Sequence, residues 1–301
     1  MNEKGIMFAL ITALISGISI FVNSFGVKFG DPFIYTTLKN SLAVIFLFSS
    51  IFLIGKYKEL LTLNKKQLFR LIGIGIIGGS IPFLLFFYGL KIGTASSASF
   101  IYRLLFIFAA GYGIIFLKEK ISKNLILGAI IAILGNFLIL GNMFELGLGE
   151  LLVFLATILW AGEYTISKNT LKELSPQVVS FSRMFFGSLI LFGFLFFTGN
   201  MNFTLTAAEI QWTIIASAFL FLFLLSWYSA LKYTTLSSAT AILTLGGPIT
   251  TLLSIIFLEK ELLITEAIGF LLLTIGTITI VGISNVLNSF NYLKKVFIWK
   301  V

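Results

Sequence analysis

Residues 88–100 read YGLKIGTASSASF, and residues 228–240 read YSALKYTTLSSAT. Sliding the chain by 141 positions sets Leu90-Lys91 on Leu231-Lys232 and Ser96-Ser97-Ala98 on Ser237-Ser238-Ala239. The same shift sets Ile114-Ile115-Phe116-Leu117 on Ile255-Ile256-Phe257-Leu258, and Gly128, Gly135 and Gly141 on Gly269, Gly276 and Gly282. Nearer the start of each half the shift is 144: Gly5 meets Gly149, Pro32 meets Pro176, and Lys39 meets Arg183. Apolar matches alone would arise by chance between greasy helices. Gly, Pro, Ser-Ser-Ala and a basic residue held in one register do not, so the chain reads as a duplication.

Composition says which solvent the duplicated unit meets. The 301 residues are 58% hydrophobic and 11% charged, with 34 Phe. A soluble protein of this size has roughly a quarter of its residues charged. Too little polar surface exists here to face water, which predicts a polytopic membrane protein. The chain has no Cys and no His. Disulfide, thiolate and metallopeptidase chemistry are thereby excluded, and so is the side chain best suited to proton transfer near neutral pH. The net charge of +9 sits in short connectors, so it reads as a topology signal and not as a nucleic-acid surface.

A spanning helix needs about 20 mostly apolar residues. Ten such runs can be marked off: 5–27, 33–54, 68–90, 94–117, 124–142, 149–168, 176–198, 208–231, 235–258 and 264–287. The first is longer than the core of a secretory signal and lacks a small-x-small cleavage site, so it is expected to be a membrane helix. Five spans per copy is an odd number, so the second copy must enter the bilayer from the opposite face. The expected fold is all-α, ten transmembrane helices in two inverted five-helix repeats over 1–144 and 145–290, with a basic tail over 291–301. Lys/Arg bias orients such a chain. One side collects Lys4, Lys56, Lys58, Lys65, Lys66, Arg70, Lys118, Lys120, Lys123, Lys168, Lys172, Lys232, Lys294, Lys295 and Lys300; the other has Lys28, Lys91 and Lys260. Both termini are therefore expected in the cytoplasm, with the chain in the cell membrane. Inverted repeats about a mid-membrane site are a recurring construction of secondary transporters.

These residues resemble the EamA-type permeases of the drug/metabolite transporter superfamily, along essentially the whole chain. The marks are the Ser/Thr/Ala-rich starts of the fourth and ninth helices after Leu-Lys, and Gly246-Gly247-Pro248 within the ninth. A Glu follows those helices (Glu119; Glu259 or Glu261), Gly-rich fifth and tenth helices come next, and Trp160-Ala161, Lys39 and Arg183 also fit. The first copy has Phe106-Ile107 where Pro248 falls in the second, which predicts unequal bends in the two halves. The resemblance implies transport of small organic solutes, commonly export of amino acids or other metabolites. It also implies that Tyr88, Tyr102, Trp160, Tyr164, Trp227 and Tyr228 lie on helices that line the central cavity.

Ionisable residues inside a bilayer are costly and call for a reason. Arg103 is expected either to face a water-filled cavity and attract a solute carboxylate or phosphate, or to pair between helices. Lys39 and Arg183 either contact solute or snorkel toward the headgroups. Glu163 is either the ion-pair partner of Arg183 or a proton-coupling carboxylate. Thr94, Thr235 and their neighbouring serines can cap helix starts, let helices pack closely or line the cavity. Gly75, Gly78-Gly79 and Gly246-Gly247-Pro248 are candidate hinges. Trp212 and Trp299 read as interface anchors.

The expected function is a permease exporting amino acids or related solutes by alternating access, with no enzymatic activity, no cofactor and no metal. The expected partners are a small organic solute and the bilayer, without nucleic acid; a homodimer is compatible with the sequence. The alternatives are a proton-coupled carrier of organic anions or phosphorylated metabolites, and a receptor or structural membrane protein. An ATP-driven pump needs a phosphate-cradling GxxxxGK[ST] loop, and none occurs in the sequence.

Overall fold

A computed structural model describes residues 2–26, 31–93, 95–140, 147–200, 204–259 and 261–298. The expectations placed on Lys28, Thr94, Gly141, Lys260, Trp299 and Lys300 lie outside these residues. The described chain is helical: α1 (Glu3–Gly26), α2 (Pro32–Leu53), α3 (Tyr57–Leu61), α4 (Lys65–Ile74), a π-helical turn (Gly75–Ser80) and α5 (Ile81–Ile92). It continues as α6 (Ala95–Arg103), α7 (Leu105–Leu117), α8 (Lys123–Leu140), α9 (Leu148–Thr170), α10 (Pro176–Phe197) and α11 (Ala207–Tyr233). It ends with α12 (Leu236–Leu243), α13 (Gly246–Leu258), α14 (Ile264–Val281) and α15 (Ile283–Ile298).

Nine helical stretches among the described residues are long and apolar enough to cross a bilayer; the tenth run, Lys123–Ile139 in α8, is shorter. Phe197, Leu53 and Ile264 are each more than three-quarters exposed, which suits hydrocarbon surroundings and not water. This is a multi-pass membrane protein.

Local chemistry sets the helix ends. Asp31 caps α2 by accepting from the backbone N–H groups of Phe33 (2.7 Å) and Ile34 (3.1 Å). Ser175 caps α10 in the same way from Val178. Each cap is followed by a proline at the first helical position, where no N–H is needed. Thr235 caps α12, accepting from the Ser238 N–H at 3.3 Å. Inside the spans, Thr12, Thr37, Thr157 and Ser180 return their hydroxyls to carbonyls one turn back, so these buried hydroxyls are satisfied without a second helix.

Three boundaries differ from the sequence expectation. The run expected over 264–287 stops at Val281, because Gly282 takes φ +86° and turns the chain into α15. The fourth and ninth spans break at matched positions: α6 gives way to α7 at Leu104, and α12 to α13 over Thr244-Leu245, with Leu245 141 residues on from Leu104. A proline is not required for the break, since the first half makes it with Phe106-Ile107 at the matched place. Leu104 donates to Ile101 O and Leu245 to Ile242 O, both at 3.0 Å, so a tightened i→i+3 turn interrupts each helix. Pro248 lies in the first turn of α13, where its missing N–H removes no bond. A third interruption, the π turn at Gly75–Ser80, divides α4 from α5.

Packing repeats across the halves. α1 packs on α11 as α9 packs on α5, α1 meets α12 and α13 as α9 meets α6 and α7, and α2 lies along α10. The tightest seam joins α8 to α14 through glycines. A Cβ on Gly128 would lie 2.5 Å from Gly276 O, and a Cβ on Gly135 would lie 2.6 Å from Gly269 O. These residues pair in antiparallel order, first with last. At one end of the bundle Arg70 and Gln67 hydrogen-bond Glu173 (2.7 and 3.1 Å), which holds that exposed carboxyl below its usual range.

Candidate functional site

The first part of the site follows from one proline. Pro82 stands four residues after Gly78, so the Gly78 carbonyl has no i+4 N–H to accept from. The π turn leaves that oxygen facing α9 and α10. There it accepts from Arg183 Nη2 (2.9 Å) and from Trp160 Nε1 (3.1 Å). Only glycine fits at this spot, because a Cβ on Gly78 would collide with Glu163 Cγ and crowd Arg183 Nε.

Arg183 and Glu163, both fully shielded, form an ion pair with Nε 3.5 Å from Oε2. Glu163 Oε1 accepts from Tyr228 OH (2.7 Å) and from Ser167 Oγ, while Oε2 and Arg183 Nε have no hydrogen-bond partner. The pair is thus charge-matched but not hydrogen-bonded across its own gap. Tyr102, Phe83 and Phe86 pack on Trp160 with ring centroids 5.4–5.6 Å apart, and the Arg183 guanidinium lies 5.9 Å from the Phe83 ring. Burial of this kind strengthens electrostatic interactions. Glu163 lies beside Arg183, as the ion-pair reading expects.

Lys39 does not snorkel. It is 5% exposed, its Nζ donates to Asn23 Oδ1 at 3.1 Å, and the rings of Tyr35, Phe87 and Phe83 lie 5.3, 5.6 and 5.9 Å away.

A cavity of about 280 Å³ opens at the two helix breaks. Tyr102 and Arg103 from α6, Thr240 and Thr244 at α12, Gly246, Gly247 and Thr250 of α13, Ser16 of α1 and Glu266 of α14 line it. Both halves therefore contribute walls, and one cation, one acid and several hydroxyls share the space. Gly246 and Gly247 line the cavity beside the Leu245 break, with Pro248 next to them. Tyr88 stands apart, 45% exposed on α5. Trp212 stacks on Phe25 at 4.9 Å.

At the lysine-rich end hydrogen bonds tie α7 to α12, and α9 to the end of α11. Glu119, at the end of α7, accepts from the α12 backbone N–H of Leu236 (2.5 Å) and Ser237 (3.2 Å) and from Ser237 Oγ (2.6 Å). Lys168 donates to Leu231 O and Thr234 O, and Lys232 to Leu174 O. Sequence reasoning noted Glu119 only as a mark of resemblance and passed over Glu266, Asn23 and Pro82. Pro82 inside an apolar run was the available signal. Glu266 was hidden because an acid two residues into a span looks like an ordinary helix-start residue. Among the described residues no group of three or more His, Cys, Asp or Glu is arranged to hold a metal.

Broken helices, a polar chamber walled by both halves and an otherwise lipid-facing surface define the molecule as a helical membrane protein with a solute-sized internal site. The chain belongs to the EamA-like transporter family, which matches residues 3–141 and again 147–282. It is 28% identical to an uncharacterized transporter of Archaeoglobus fulgidus over 193 residues, 64% of this chain and 67% of that one. It is 24% identical to an uncharacterized transporter of Clostridium kluyveri over 298 residues, 92% of each chain. It is also 27% identical to protein LicB of Haemophilus influenzae over 203 residues, 62% of this chain and 67% of that one. A solved crystal structure shares the fold, with TM-score 0.77 at 14% identity over 93% of this chain and 96% of that one. The protein is accordingly a membrane transporter by family.

Proposed function

We propose that the protein exports amino acids or related small organic solutes across the cell membrane by alternating access. In this reading ten spans form two five-helix halves, 1–144 and 145–290, in opposite orientations, with both chain ends in the cytoplasm. The observation that carries the reading is the chamber at Leu104 and Leu245: each half breaks a helix at the matched residue, and each supplies walls to one solute-sized space. The antiparallel pairing of Gly128 with Gly276 and Gly135 with Gly269 supports the inversion, since a two-fold axis in the membrane plane exchanges those contacts. A cavity holding Arg103, Glu266 and six hydroxyl residues suits a zwitterion better than an apolar solute. Purified protein in liposomes, given a panel of labelled amino acids and organic anions with and without a pH gradient, tests this. Movement of at least one solute is expected; no movement of any overturns the reading.

Proton coupling is the second reading, favoured by the buried Glu163 with its unbonded Oε2. In the same liposomes Glu163→Gln is expected to flatten the dependence of flux on pH. An unchanged pH profile at normal flux removes Glu163 from any coupling role.

A further inference from the structure

The duplication allows the two buried cations to be compared position by position. At a shift of 144, Arg183 answers to Lys39, Glu163 to Ser19, Ser167 to Asn23, Ser180 to Thr36 and Met184 to Asn40. Around Arg183 the protein supplies its own counter-charge, although Arg183 Nε and Glu163 Oε2 have no hydrogen-bond partner. Glu163 supplies the opposite charge, Ser180 Oγ donates to Pro176 O (2.7 Å) and contacts Leu224 O (3.3 Å), and Met184 needs no partner.

Around Lys39 every one of these is missing. Ser19 replaces the acid, and no carboxylate among the described residues pairs with Lys39. The ammonium's neighbours are Asn23 on α1, Tyr35 on its own helix, and Phe83 and Phe87 on α5; from α11, Ser217 Oγ donates to the Lys39 carbonyl. Within one turn, Thr36 Oγ1 and both Asn40 Nδ2 and Asn40 Oδ1 are buried without a hydrogen-bond partner. A buried cation without a carboxylate beside three open polar atoms is costly, and the other half shows that this scaffold can place a counter-charge at the matched position. Asn23 also continues the stripe of α1 on which Ser16 and Ile20 line the cavity, since residues three and four apart share a helix face.

We infer that Thr36, Lys39 and Asn40, with Asn23, form a binding position for the carboxylate of the transported solute. Lys39 supplies the charge, the Thr36 hydroxyl and Asn40 amide donate to the carboxylate oxygens, and Phe83, Phe87 and Tyr35 cover the apolar part of the solute. The solute's carboxylate then does at Lys39 what Glu163 does at Arg183. Arg103 is not assigned this task, because it shares its cavity with Glu266. The inference rests on the transport reading and narrows the solute to carboxylate-bearing molecules.

Thermal unfolding of the detergent-solubilised full chain tests it, with amino acids and simple organic acids each compared with the corresponding amide. At least one acid is expected to raise the melting temperature of the unaltered protein while its amide does not. Lys39→Gln should weaken that response about tenfold or more, and Lys39→Arg should keep most of it. Lys39→Met, free of ligand, should melt no lower than the unaltered protein, because it removes a buried charge that no carboxylate among the described residues neutralises. If no acid outperforms its amide, if Lys39→Gln responds like the unaltered protein, or if ligand-free Lys39→Met melts well below it, the assignment is overturned. Liposome flux separates the two readings: solutes that move equally well through Lys39→Gln leave transport standing and remove this site.

Discussion

At the scale of single residues, the membrane interior separates two kinds of buried charge. Arg183 and Glu163 face each other, so removing either leaves the other stranded in a medium that cannot solvate it. Arg183→Met is therefore expected to destabilise the protein by about 3–5 kcal/mol, measured by denaturant or thermal unfolding in detergent. Adding Glu163→Leu to it should restore most of the loss, because no stranded charge then remains. An equal or greater loss in the double variant would mean that volume and not charge sets the cost. Lys39 is the opposite case, and the sequence could not tell the two apart. It showed a basic residue at the same place in each half. What differs lies at Ser19 and Glu163, one helix away, and becomes legible only once the helices are packed.

At the scale of elements, glycine and proline placement determines how closely helices approach and where they open. The α8–α14 seam is the clearest instance: Gly276 and Gly128 bring two backbones into contact, and a side chain at either meets a carbonyl oxygen or backbone atoms at under 3 Å. Gly276→Val should cost about 1–3 kcal/mol or more through overpacking and lower the melting temperature in detergent. Gly73→Val, where a Cβ would meet nothing within 4 Å, should leave it nearly unchanged. Equal shifts from the two would remove the packing argument. These glycines were legible in advance, because their register repeats at a shift of 141 and small residues drive association in lipid. The breaks were only half legible. Gly246-Gly247-Pro248 pointed to one, but Leu104 lies in a run with no breaker, and its turn is held by tertiary packing that no local pattern records. The π turn followed from Pro82 acting on a carbonyl one turn earlier, a signal present in the sequence and not used.

At the scale of the whole molecule, the two ends of the bundle are not equivalent. Glu119 caps the start of α12 from the far side of the bundle with three hydrogen bonds, whereas position 260, its counterpart at a shift of 141, is a lysine. A lysine cannot accept from backbone N–H groups, so the position that answers to Glu119 cannot form the same clasp. The Glu119 end carries most of the basic connectors, and in the alternating-access reading it is the cytoplasmic gate, held closed in the present arrangement. Hydrogen bonds to a charged group contribute about 1.5–3 kcal/mol each, so removing Glu119 should move the balance between closed and open gates by about tenfold or more toward open. The absence of cysteine from the chain makes this directly measurable. Thr251→Cys places a single thiol in the cavity wall, and a membrane-impermeant maleimide in vesicles of known sidedness reports which end admits reagent. With Glu119 intact, labelling from the lysine-rich side should be slow; with Glu119→Ala it should accelerate about tenfold, while Glu259→Ala, at the C-cap of α13 on the opposite end, leaves it unchanged. If Glu119→Ala labels no faster from that side, the clasp is a local cap and not a gate, and the closure of this end must rest on the lysine contacts of Lys168 and Lys232 instead.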